Sequence, residues 1–146
     1  MTMDAQTKKE LLTLKIVAVG MPIMLCIAVI FFGGHIWWAQ KLSNPVVDYV
    51  KVEGVEVTLC GISLYDLDSI AKAFDEITTK KLGGSFPVSF YFFKVETPSE
   101  SYVLQLGQDS RSSELFWVYP EGGKLNTIVG GWIKSEYIAE KYIDCG

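Results

Sequence analysis

The sequence predicts an α+β fold: an N-terminal transmembrane helix, then a small domain with an antiparallel β-meander, one main packing helix and a short C-terminal helix. Three observations carry this expectation. Residues 16–36 contain no Asp, Glu, Lys or Arg, and a run of roughly 20 apolar residues is what a helix needs to cross a bilayer core. Leu67, Ile70, Phe74 and Ile77 recur at helical spacing. From Pro87 onward, β-branched and aromatic runs alternate with turn residues.

The anchor comes first. In lipid the backbone must satisfy its own hydrogen bonds, so residues 16–38 are expected as a helix, with Gly20 and Pro22 tolerated. His35, Trp37 and Trp38 mark its far boundary, where amphipathic rings favour the headgroup layer. A cleavable signal needs small residues before the cut. Here Trp37 stands two residues before Ala39, so the segment reads as uncleaved. It has neither an intramembrane charge nor a Gly-x-x-x-Gly motif, which suits a plain anchor. Residues 1–15 form a short polar tail carrying Lys8, Lys9 and Lys15, against Lys41 alone just beyond the span. The positive-inside rule then expects a single-pass protein of the bacterial inner membrane, with a cytoplasmic N-terminus and a periplasmic C-terminal domain. Asn44 and Asn126 both lack a glycosylation context, in keeping with a bacterial envelope.

Residues 39–47 read as a linker with a turn at Asn44-Pro45, and the domain occupies residues 48–146. Val55, Val57 and Leu59 alternate with polar residues as a half-buried strand does, after Val50 and Val52 and a bulge at Gly54. Ser63 and Asp66 have capping-box spacing and open the main helix. Val88–Thr97 is apolar on both faces through Phe90-Tyr91-Phe92-Phe93, as in a central strand covered twice. Further strands are expected at 102–106, 115–119 and 127–133, with a turn at 120–124. A short helix at 135–142 has Ser135 as its N-cap. Cys60 and Cys145 are expected as a disulfide in an oxidising compartment. It would stabilise the domain by on the order of 4 kcal/mol in the chain-entropy model.

The chemistry is defined mostly by what is missing. His35 is the only histidine, so the domain lacks Ser-His and Cys-His nucleophile systems and histidine metal sites. The Gly-Lys segments at 80–85 and 122–124 lack phosphate-loop order and read as plain loops. Asp66 with Asp68 open a helix, and Asp109 with Glu114 lie on a loop of a domain too small for a sugar cleft. No catalytic, cofactor or metal site is therefore expected. Residues 39–146 carry 10 Lys plus Arg against 15 Asp plus Glu, a net of −5. That excludes a nucleic-acid face and favours a basic protein partner.

The residues singled out for partner binding are Asp109, Arg111, Glu114, Phe116, Trp117 and Tyr119. Arg, Trp and Tyr dominate binding hot spots, and Arg111 is the only arginine. Trp117 and Tyr119 share one strand face, Phe116 and Val118 the other. The competing reading is ordinary packing, with Arg111 paired to Asp109 across a hairpin. The expected function is a membrane-anchored, extracytoplasmic protein-binding module that touches lipid only through its anchor. One concrete version is an immunity or inhibitor protein against an envelope-acting toxin. The alternatives are an accessory subunit of a secretion, conjugation or division complex, and a small-ligand sensor with its pocket between helix and sheet.

Overall fold

The computed structural model describes residues 5–80, 83–122 and 129–145; at 5–16, 31 and 32 it describes the backbone. They fall into two compact units, Met1–Gly34 and His35–Gly146. Helix α1 spans Ala5–Tyr49. Within the first unit its apolar side chains from Val17 are exposed, Met24 and Leu25 at 69% among them. A helix apolar around its circumference that buries none of that surface in protein suits lipid as its solvent. It is the one helix among the described residues long and apolar enough to cross a membrane.

The second unit contains the end of α1, which corrects the expected linker. Residues 39–47 are helical through Asn44 and Pro45. Ala39, Leu42, Val46 and Val50 form a buried stripe. Proline inside a helix costs ~3 kcal/mol, since it removes a hydrogen bond and crowds the preceding turn. Burying Leu42 and Val46 offsets this by roughly 1.5–3 kcal/mol each, so tertiary packing outweighs the local turn signal. Val50 and Val52, read as strand, instead close the helix: their amides donate to the Val46 and Tyr49 carbonyls at 3.0 Å. Gly54 belongs to the turn that follows, with φ +78°.

Strand β1 (Glu56–Leu59) turns back into β2 (Ile62–Leu64), a hairpin absent from the sequence expectation. Its two turn residues, Cys60 and Gly61, have φ +47° and +86°, as a type I′ turn requires. Ser63 thus lies in β2, and Asp66 caps α2 (Leu67–Asp75), accepting from the Ser69 amide at 3.1 Å. β3 (Pro87–Glu96), β4 (Ser101–Asp109), β5 (Leu115–Pro120) and β6 (Gly131–Lys134) follow, then α3 (Glu136–Ile143) with Ser135 as its N-cap. The expected turn at 123–124 and the start of the last strand at Thr127 lie outside the described residues.

All pairings in the sheet are antiparallel, in the order β2-β1-β3-β4-β5-β6. The architecture is therefore α+β, as expected. One face meets the helices. Val57, Leu59, Phe93, Val95, Leu104, Leu106, Phe116, Val118 and Ile133 form a single core there with Leu42, Val46, Ile70, Phe74, Ile138 and Tyr142. The Phe74 and Phe93 rings lie 5.2 Å apart, filling the space between α2 and the sheet. The Tyr142 hydroxyl donates to the Ser89 carbonyl at 2.8 Å and accepts from the Gln108 amide at 3.2 Å, fixing α3 to two strands. Cys60 and Cys145 form a disulfide with Cα atoms 5.9 Å apart, joining the end of the chain to the β1–β2 turn.

Candidate functional site

The opposite face of the sheet is the candidate site. Period-two alternation sends Tyr91 and Phe93 to the core and Phe90 and Phe92 outward. The doubly apolar run in β3 is thus covered by helices on one face only. This corrects the expectation of a strand covered twice: Phe90 and Phe92 lie outside the helix-packed core. Phe92 is 54% exposed, and Phe86 and Val88, at the start of the same strand, are 60% and 56% exposed. Val88 occupies an irregularity in register between Pro87 and Ser89.

Next to Phe92 the open face carries an aromatic cluster. Phe90 meets Tyr119 edge-on at 5.4 Å, Tyr119 stacks beside Trp117 at 6.5 Å, and Trp117 meets Trp132 at 5.1 Å. Gly107 makes room for it. A Cβ there would meet Pro87 Cβ at 2.8 Å and Phe90 Cε1 at 2.9 Å. Tyr119 points away from the helices yet is closed to solvent between Phe90 and Trp117. Burial pushes its hydroxyl up to about 12, so it stays neutral.

Asp109 organises one end of the face. Its carboxylate accepts from Trp117 Nε1 at 2.8 Å and from the Arg111 amide at 2.9 Å, and it is buried. Burial alone would raise its pKa. Hydrogen bonds from the Trp117 indole, the Arg111 amide, the Ser85 side chain and the Ser112 amide outweigh that and hold it below the usual carboxylate range. Arg111 makes no side-chain ion pair with Asp109. Its Nη1 instead donates to the Gly83 carbonyl at 2.9 Å, tying the β4–β5 loop to the segment before β3. Phe86 is held beside that loop, with the Ser110 amide donating to its carbonyl at 2.9 Å.

The six residues singled out from sequence therefore separate. Trp117 and Arg111 lie at the open face, half-buried and exposed respectively. Asp109 supports them from beneath. Phe116 is fully buried in the core, so it is unavailable to a partner, and Tyr119 is enclosed within the aromatic cluster. Glu114 is engaged by Lys134 across the neighbouring strand at 3.2 Å. Phe86, Val88, Phe90 and Phe92 went unrecognised as surface. The signal was present in their run, but sequence alone could not say which face the helices leave open.

The boundary aromatics belong to the second unit. Trp37 is 60% exposed, Trp38 is half-buried, and Lys41 Nζ lies 5.1 Å and 5.8 Å from their ring centroids. His35 is exposed. Among the described residues no cluster of three His, Cys, Asp or Glu side chains is arranged to hold a metal. Comparison with protein-family models, curated proteins and solved structures finds no match for this chain.

Proposed function

We propose that this chain is a single-pass membrane-anchored, extracytoplasmic binding module that docks a protein partner on the open face of its sheet. The observation that carries the reading is exposed Phe92 beside half-buried Phe90 and Trp117 on the open face. Contiguous exposed apolar surface of this kind marks contact sites. The fold makes strand addition at the sheet edges less favourable. On the β6 edge, Thr78 takes both the amide and the carbonyl of Trp132, and β2 is only three residues long. A partner is left with the face.

The loop that frames the face is already fixed by Asp109 and by the Arg111–Gly83 bond, which lowers the ordering cost of binding. The acidic balance of residues 39–146 steers a basic partner. In the most concrete version that partner is a toxic enzyme reaching a bacterial envelope and the module is its immunity protein, held by its anchor in the inner membrane.

Photo-crosslinking in native membranes tests this. A crosslinker at Phe92 is expected to capture one stoichiometric protein, and one at Tyr65, 84% exposed elsewhere, is not. Phe92→Asp should abolish the capture and leave the fold intact. Equal capture from Tyr65, or capture that survives Phe92→Asp, refutes the face. The identity of the captured protein separates immunity from a subunit of an envelope machine.

A further inference from the structure

We infer that a cavity at the domain end of α1 binds the amine headgroup of a membrane phospholipid, of the ethanolamine type. This rests on the membrane-anchor part of the proposed function and is independent of the protein-binding face. The cavity has a volume of about 270 Å³, and its walls include Ile36, Gln40, Asn44, Asp75, Ile77 and Thr79. Every one of these residues belongs to the second unit.

The chemistry of the walls selects the ligand. Among the described residues, Asp75 is the only charged one lining the cavity, and no described Lys, Arg or His lines it. Among the described walls an anion would find no counter-charge, whereas an ammonium finds one. An alkylammonium has three N–H donors and no acceptor. The Asp75 carboxylate and the side-chain carbonyls of Gln40 and Asn44 together offer three acceptors. These three side chains make no hydrogen bond or ion pair within the chain among the described residues. Ile36 and Ile77 supply an apolar border that suits the carbon atoms of a headgroup. The cavity is also small. Pockets for drug-sized ligands run from ~300 Å³ upward, so this one suits a headgroup.

Placement points to lipid as the source. Ile36 directly precedes Trp37 and Trp38, and Gln40 lies within one helical turn of them. Tryptophans at the end of an apolar span favour the headgroup layer. Lys41, beside Gln40, lies over the two indole rings instead of lining the cavity.

The test uses the full chain in nanodiscs of phosphatidylethanolamine, phosphatidylcholine and phosphatidylglycerol with matched acyl chains. Native mass spectrometry after release reads the lipid retained. The ethanolamine lipid is expected to be enriched roughly fivefold over both others: over the glycerol lipid through a partly exposed ion pair with Asp75, and over the choline lipid, a cation without N–H donors, through hydrogen bonds to Asp75, Gln40 and Asn44. Asp75→Asn should remove the enrichment. Asp68→Asn, which makes the same charge change on the same helix outside the cavity, should keep it. Equal retention of all three lipids, or enrichment that survives Asp75→Asn, overturns the site. So does displacement of the lipid by chain-free glycerophosphoethanolamine at equal concentration, which would assign the cavity to a soluble amine. Carbonate extraction of native membranes separates the two readings. A chain released into the soluble fraction refutes the anchor itself, and a chain that stays in the membrane without ethanolamine preference refutes this inference alone.

Discussion

The Asp109 carboxylate is closed to solvent and accepts from the Trp117 indole and the Arg111 amide. Its pKa is depressed in the folded protein, so its stabilising contribution is complete above the ordinary carboxylate range, about pH 4. It is lost as pH falls through the lower folded value. Asp109→Asn is expected to cost about 1.5–3 kcal/mol near neutrality, the worth of hydrogen bonds to a buried charge. Thermal melts from about pH 3 to about pH 7 should show the gap between the two proteins narrowing at the acid end. Gly107→Ala should destabilise by about 1–3 kcal/mol through overpacking against Phe90 and Pro87, read as a lower urea midpoint. The sequence shows Asp109, Arg111 and Trp117 as promising residue types. It cannot show their bonds, because Arg111 reaches Gly83 across 28 positions and only the fold brings them together.

At the scale of elements, α1 belongs as much to the folded domain as to the membrane-length apolar segment. Leu42 and Val46 share a core with Phe93 and Leu104. Leu42→Ala is expected to cost about 2–5 kcal/mol, comparable to Ile70→Ala, in urea unfolding followed by tryptophan fluorescence. A chain beginning at residue 51 should fail to fold cooperatively, and one beginning at residue 35 should fold. The elements legible in the sequence were those with local signals. Strands β3 to β5 show as apolar runs bounded by turn residues, α2 shows its stripe of Ile70 and Phe74, and α3 shows its Ser135 cap. The end of α1 was not legible. Asn44-Pro45 is a local turn signal, and the stripe that overrides it acquires meaning only against the sheet. β2 escaped for another reason: three residues are too few to display a period.

Across the whole molecule the disulfide closes a separation of 85 residues, from the β1–β2 turn to the end of α3. Replacing Cys60 and Cys145 by Ser should lower stability by about 2–5 kcal/mol, measured as a drop in melting temperature that reductant reproduces in the unaltered chain and does not deepen in the variant. The continuation of α1 into the core bears on whether a proteolytic cut can free a folded domain. Many surface proteins carry a loose stalk that a protease can cut to free a working ectodomain. Here residues 39–50 offer no such stalk, because a cut among them strips Leu42, Val46 or Val50 from the core. A cut among residues 39–50 thus costs the fold, and only a cut before Ala39 would leave a folded domain behind.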